Sequence, residues 1–233
     1  MLRPISTALA TLVLVLFSHA AGADQGTTHP WQANYTTRLE AYALLQTLNA
    51  DLLSHNSATL TLDRWCDVHH LASPARIVAE RVDGPEQPPT TEQRQILGVD
   101  PDEPVRFRRV RLKCGDHVLS EAENWYVPSR LTRDMNTLLD TTDTAFGRAV
   151  KPLNFRRQTL SAKLLWSPLP PDWETHAAIA PEPRDATLAI PHEVIEHRAI
   201  LTLPDGTPFS QVVETYTGEV LAFPEPKADA QCN

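Results

Sequence analysis

Four guanidiniums, at Arg106, Arg108, Arg109 and Arg111, stand within six residues of a 233-residue chain whose formal net charge is −8. A guanidinium is planar and can grip a carboxylate through two parallel hydrogen bonds, so such a run is either a solvated strand face or an anion clamp. Strand alternation splits it into two faces. Phe107, Arg109, Arg111 and Lys113 share one. Arg106, Arg108, Val110, Leu112 and Cys114 share the other, which is the candidate core side. Far downstream, "VVETYTGEV" offers Glu214 and Glu219 as carboxylates able to take or give a proton.

Other chemistries fit poorly. "HEVIEH", His192 to His197, invites a zinc reading, but its i, i+5 spacing sets the rings roughly 140° apart on a helix. On a strand an odd separation sends them to opposite faces. Pro191 before it and "RAILTL" after it favour a strand. No metal or cofactor is expected. The chain lacks a G-x-S-x-G elbow, a G-x-G-x-x-G fingerprint and a P-loop, and has only 8 glycines with which to cradle a phosphate. Cys114 shares the candidate core face and is not read as a nucleophile. Cys66 and Cys114 are either a disulfide or two small buried apolar groups. Cys232 lies in a polar tail without a catalytic role.

The elements that must position these residues follow from periodicity. Residues 38–54 read as an amphipathic helix through Ala41, Leu44, Leu45, Leu48 and Leu52. A second helix starts at Ser57, with Leu62, Trp65, Cys66 and His69 on one side. "ARIVAERV" reads as a strand. Residues 84–104 hold five prolines and form a loop with one helical turn at "TEQRQIL". Residues 105–113 and 118–127 pair as a hairpin around Gly115-Asp116. Residues 131–139 and 144–150 are short helical pieces, and 155–166 is a strand. Residues 167–191 carry six prolines and form a loop or insertion. Residues 194–203 and 209–221 form a last hairpin around "PDGT". This order implies an α+β fold with a single antiparallel β-sheet, helices and helical flaps.

The N-terminus has a basic Arg3, an apolar run from Ala8 to Phe17 and Ala21-Gly22-Ala23, the pattern of a signal peptide over residues 1–23. The run is short of the ~20 residues a spanning helix needs. A periplasmic or secreted protein is expected, with one domain over 24–223, a flexible tail over 224–233 and no stable membrane insertion after cleavage. The acidic balance and absence of a basic tail argue against nucleic acid. A monomer is expected.

From Phe107 onward the chain resembles the chorismate pyruvate-lyase family and its superfamily. The residues carrying this are "FRRVRLKC", "CGDHVLSEAENWYVP", "TAFGR" (Thr144 to Arg148) and "DGTPFSQVVETY", with "SAT" at Ser57 to Thr59 upstream. Together they span most of the chain in order. The resemblance implies an enzyme, a carbon–oxygen lyase that eliminates pyruvate from chorismate or a related enol-ether carboxylate and leaves a 4-hydroxybenzoate-type product. Arg109 would clamp the ligand carboxylate. Glu214 would be the acid/base. Ala58, Phe146 and Gly147 would contact the ligand. Glu214 stands one residue farther from Pro208 than the family pattern has it. That calls for a bulge, or else moves the role to Glu219. "ENWYVP" is equally similar to the effector-binding domains of a class of bacterial repressors. This alternative implies a non-catalytic periplasmic module for a small aromatic or carboxylated ligand.

Overall fold

The computed structural model describes residues 30–175, 183 and 185–226. The segment 1–23 expected to be a signal peptide, residues 176–182 and 184 of the Pro-rich segment, and residues 227–233 with Cys232 lie outside the described residues.

The chain folds as α+β, with one six-stranded, wholly antiparallel sheet in the order β1-β2-β3-β6-β5-β4. The strands are β1 (Ile77–Arg81), β2 (Arg106–Cys114), β3 (His117–Tyr126), β4 (Arg156–Leu164), β5 (Glu193–Thr202) and β6 (Pro208–Thr217). Two hairpins, β2–β3 and β5–β6, meet where β3 pairs with β6.

Helix α1 (Tyr35–Ser54) begins at Asn34, whose side chain accepts from the Thr37 amide. It buries Ala41, Leu45, Leu48 and Leu52, a four-three-four spacing that makes one stripe. Helix α2 (Ala58–Val68) is capped by Ser57 and buries Leu62, Trp65 and Cys66. These two helices cover the inner face of the sheet and build the main core with Val110, Leu112, Leu119 and Tyr216. The Cys66–Cys114 disulfide ties α2 to the end of β2, with Cα atoms 6.3 Å apart.

Helix α3 (Thr91–Leu97) starts at a Thr90–Gln93 capping box and ends on left-handed Gly98. Its Leu97 packs with Trp125, Val127, Phe107 and Val213 in a separate cluster. The expected single turn at "TEQRQIL" is therefore a capped helix inside the Pro-rich loop. Helix α4 (Arg133–Thr141) starts two residues later than expected, because Thr132 is the cap. A third cluster joins it to Phe155 and Phe209. The short α5 (Phe146–Ala149) follows.

The Pro-rich segment is anchored where it is described. Tyr42 on α1 meets Trp173 edge-on at 5.6 Å, and Arg38 donates to the Pro168 carbonyl. Its far end bridges Gln32 to Thr187. The last expected strand stops at Thr217, where a 3-10 turn over Gly218–Leu221 takes over.

Candidate functional site

The inner face of the sheet does not close completely against the helices. A small, partly open cavity lies between β2, β3, β6, β5 and the start of β4 on one side and the N-terminal ends of α2 and α5 on the other. Val110, Leu112, Ala122, Val212 and Leu201 form its floor, and Ala58, Phe146 and Phe155 its roof.

The register places the polar groups. Arg108 pairs with Asn124, which pairs with Val212. In the next row Val110 pairs with Ala122, which pairs with Glu214, which pairs with His197. Arg108 is only 7% exposed. One of its Nη atoms donates to the Thr144 carbonyl at 3.1 Å. Its Nε and other Nη are buried without an acceptor. Among the described residues no carboxylate stands within ion-pairing distance of it. Burial, reinforced by the nearby charge of Arg81, lowers its pKa to about 10, so it remains charged at neutral pH. A charge held this way is expensive until an anion arrives. Asn124 adds a second donor. Its Oδ1 accepts from Ser210 Oγ at 2.5 Å, which leaves the Nδ2 amide buried and unpaired.

The other end is an ion pair. Arg157, from β4, reaches over β5 and donates to Glu214 Oε2 at 2.6 Å, with the two side chains 4% and 7% exposed. The Tyr216 hydroxyl donates to the same oxygen at 3.2 Å. Burial is the largest influence on Arg157 and would lower its pKa, but the Glu214 charge, Tyr216 and the hydrogen bond to Glu214 together outweigh it and leave it raised. Burial and then the Glu214 charge push Tyr216 well above its ordinary value, so it stays a neutral donor. His197 is fully buried, its Nε2 2.8 Å from Asn49 Oδ1, and burial brings its pKa down to about 4. Asn49 Oδ1 only accepts, so Nε2 carries the proton.

The roof is held by "TAFGR". Thr144 supplies the carbonyl for Arg108, and Phe146 and Gly147 face the cavity. Arg148 pairs with Asp63 of α2 at 3.0 Å. Gly147 has no room for a side chain: a Cβ there would lie 2.6 Å from Ser57 Oγ and 3.0 Å from Thr59 Oγ1. The two helix starts can touch only because this residue is glycine.

Of the residues expected from sequence, Ala58, Phe146, Gly147 and Glu214 line this one cavity. Arg109 does not. It lies on the opposite face of β2, where its Nε and Nη donate to Glu123 Oε1 at 2.9 and 2.7 Å and its guanidinium sits 5.4 Å from the Phe107 ring. The reason is alternation: Arg108, not Arg109, shares a face with Val110 and Leu112. Arg106 and Arg111 are surface ion pairs, with Asp140 and with Glu80 and Glu121. Glu219 is exposed and pairs with His117 at 2.7 Å. The bulge Glu214 calls for is present. Leu201 pairs with Ser210 and Thr202 with Pro208, so β6 carries an extra residue at Phe209. Sequence reasoning missed Arg157, Asn124, Tyr216 and His197. Alternation alone could have pointed to Arg108. Nothing local marks Arg157, whose partner is 57 residues away. Among the described residues no three His, Cys, Asp or Glu side chains gather as metal ligands, and no helix is long and apolar enough to cross a membrane.

No family model matches the chain. Among solved structures it is similar to PhnF from Mycobacterium smegmatis, at TM-score 0.46 and 13% identity, over 76% of this chain and 70% of that one. It is also similar to the effector domain of PhnF from the same organism, at 0.44 and 14%, over 70% and 90%. A GntR-family transcriptional regulator from Enterococcus faecalis V583 matches at 0.38 and 12%, over 66% and 99%. Identities this low say nothing about which side chains a site would share. Sequence similarity is much stronger to the uncharacterized protein y4mC of Sinorhizobium fredii (strain NBRC 101917 / NGR234), 54% identical over 204 residues, 87% of this chain and 86% of that protein. At that identity and coverage, the chain belongs to the family of the Sinorhizobium fredii protein y4mC.

Proposed function

We propose that this protein binds a small cyclic carboxylate in the cavity beneath α2 and α5, with Arg108 and Asn124 as the carboxylate anchor. The observation that supports this most directly is the buried, charged Arg108 with two of its donor nitrogens unmatched. Each unmet buried donor costs about 1–3 kcal/mol, and a carboxylate on Arg108 would recover part of that through a charge-assisted hydrogen bond. Arg108 and Glu214 sit two strands and two residues apart, ~10 Å across the sheet and ~7 Å along it at the backbone. Their side chains converge on the apolar floor between them, a space suited to one six-membered ring. The ligand's far end would offer a hydroxyl or ether oxygen to Glu214.

The same proposal puts the binding outside the cytoplasm. Residues 1–23 have the pattern of an export signal, and the Cys66–Cys114 bond is of the kind that persists in oxidising compartments.

A second reading is favoured by one feature, the carboxylate of Glu214 inside the cavity. There it could move a proton while pyruvate leaves chorismate or a similar enol ether, as the resemblance to chorismate pyruvate-lyases implies. One experiment separates the two. Chorismate is added to the purified protein, and pyruvate and 4-hydroxybenzoate are followed. Binding of 4-hydroxybenzoate without turnover supports the binding module. Stoichiometric release of both products, lost in Glu214→Gln with binding kept, supports the lyase. Neither binding nor turnover contradicts both.

A further inference from the structure

We infer that the Arg157–Glu214 ion pair sets the charge class of the ligand, so that the cavity takes a monocarboxylate and rejects a dicarboxylate. This deepens the binding reading above and rests on it.

Among the described residues, three charged side chains line the cavity: Arg108, Arg157 and Glu214. Two are already committed to each other. Arg157 Nη donates to Glu214 Oε2 at 2.6 Å, and both side chains are more than nine-tenths buried. What remains to be matched is the single positive charge of Arg108. A ligand with one carboxylate brings the enclosed charges to balance. A second carboxylate at the far end of the ring would stand beside Glu214, where the charge of Arg157 is already balanced. Like charges brought together out of water cost several kcal/mol, which is about 100-fold or more in affinity.

The far end is also built for a neutral group. The two bonds to the Glu214 carboxylate both end on Oε2, from Arg157 and from the Tyr216 hydroxyl. Oε1 is left to accept from a ligand hydroxyl. Arg157 Nε is buried there without an acceptor, but the positive charge behind it is already balanced by Glu214. The pair therefore acts as a specificity device: Arg157 would serve as a second carboxylate clamp if Glu214 did not occupy it.

The test is a calorimetric titration of the purified protein with three probes of one ring: 4-hydroxybenzamide, 4-hydroxybenzoate and terephthalate. The neutral amide should bind at least about tenfold more weakly than 4-hydroxybenzoate, and terephthalate about 100-fold more weakly. Glu214→Gln keeps the shape and frees Arg157, so terephthalate should gain and the order of the two acids should reverse. If the variant fails to fold, the wild-type series still decides. Terephthalate binding as tightly as 4-hydroxybenzoate to the wild type overturns the inference, as does a folded Glu214→Gln with an unchanged ratio of affinities. Loss of all binding in Arg108→Met would leave the parent reading standing in either case. No binding of any probe, or binding that survives Arg108→Met, contradicts the parent reading and takes the inference with it.

Discussion

Arg108 and Asn124 are direct partners across β2 and β3, and both turn buried, unmatched N–H groups toward one cavity. A stable fold gains nothing from such a pair. It is explained if selection acted on an anion that the two donors receive.

Stability should therefore trade against binding at this position. Arg108→Met removes an uncompensated buried charge and keeps much of its volume. The free protein should gain about 1–3 kcal/mol in urea unfolding while losing its response to carboxylates. A loss of stability with binding intact would contradict this.

The ion pair at the other end should behave in the opposite way. Arg157→Met or Glu214→Leu alone leaves one buried charge without its partner and should cost about 3–5 kcal/mol. The double variant should recover most of that, because two apolar groups replace two ions that were costly to bury. A double-mutant cycle by chemical unfolding measures the difference, and strictly additive losses would show that the two side chains are not coupled.

His197 makes stability depend on pH. Burial holds its folded pKa near about 4, against 6.5 unfolded, with the Arg157 charge adding to the effect and the Glu214 charge opposing it. Between those values the unfolded chain binds a proton that the folded one does not. The contribution is fully present above pH 6.5 and is lost as pH falls toward 4, amounting to about 3 kcal/mol. Unfolding measured across this window should show the slope, and His197→Gln should flatten it. An NMR titration with His197 protonating near 6.5 in the folded protein would refute the assignment.

The Cys66–Cys114 bond closes a long loop, with a sequence separation of 48. On a chain-entropy account that constrains the unfolded state by about 4 kcal/mol. The Cys66→Ala, Cys114→Ala double variant should lose stability on that scale and still fold around the same core. Equal unfolding midpoints for the two proteins would show that the bond contributes nothing.

The fold could be read from the sequence where the signals are local. The stripe Ala41–Leu45–Leu48–Leu52, the Ser57 cap, and the turns at Gly115-Asp116 and "PDGT" each specify their own element. Four roof and floor residues, Ala58, Phe146, Gly147 and Glu214, came from a resemblance and fall together in space. The arginine is different. The resemblance named Arg109, while the two-residue period of β2 put Arg108 with Val110 and Leu112. In a sheet with one buried face a single-residue slip reverses every side chain, and the period decides. Arg157 and Asn124 carried no local mark, because each is placed in the cavity by a pairing made across the sheet. Residues 1–23, on which the export reading rests, lie outside the described residues.

The central claim is that Arg108, and not its neighbour, holds the anion. The most direct measurement is a calorimetric titration of 4-hydroxybenzoate into the wild type, Arg108→Met and Arg109→Met. The account expects binding to the wild type, binding within about threefold of it in Arg109→Met, whose surface pair with Glu123 is worth at most about 1 kcal/mol, and none in Arg108→Met. Binding that survives in Arg108→Met and disappears in Arg109→Met would contradict it.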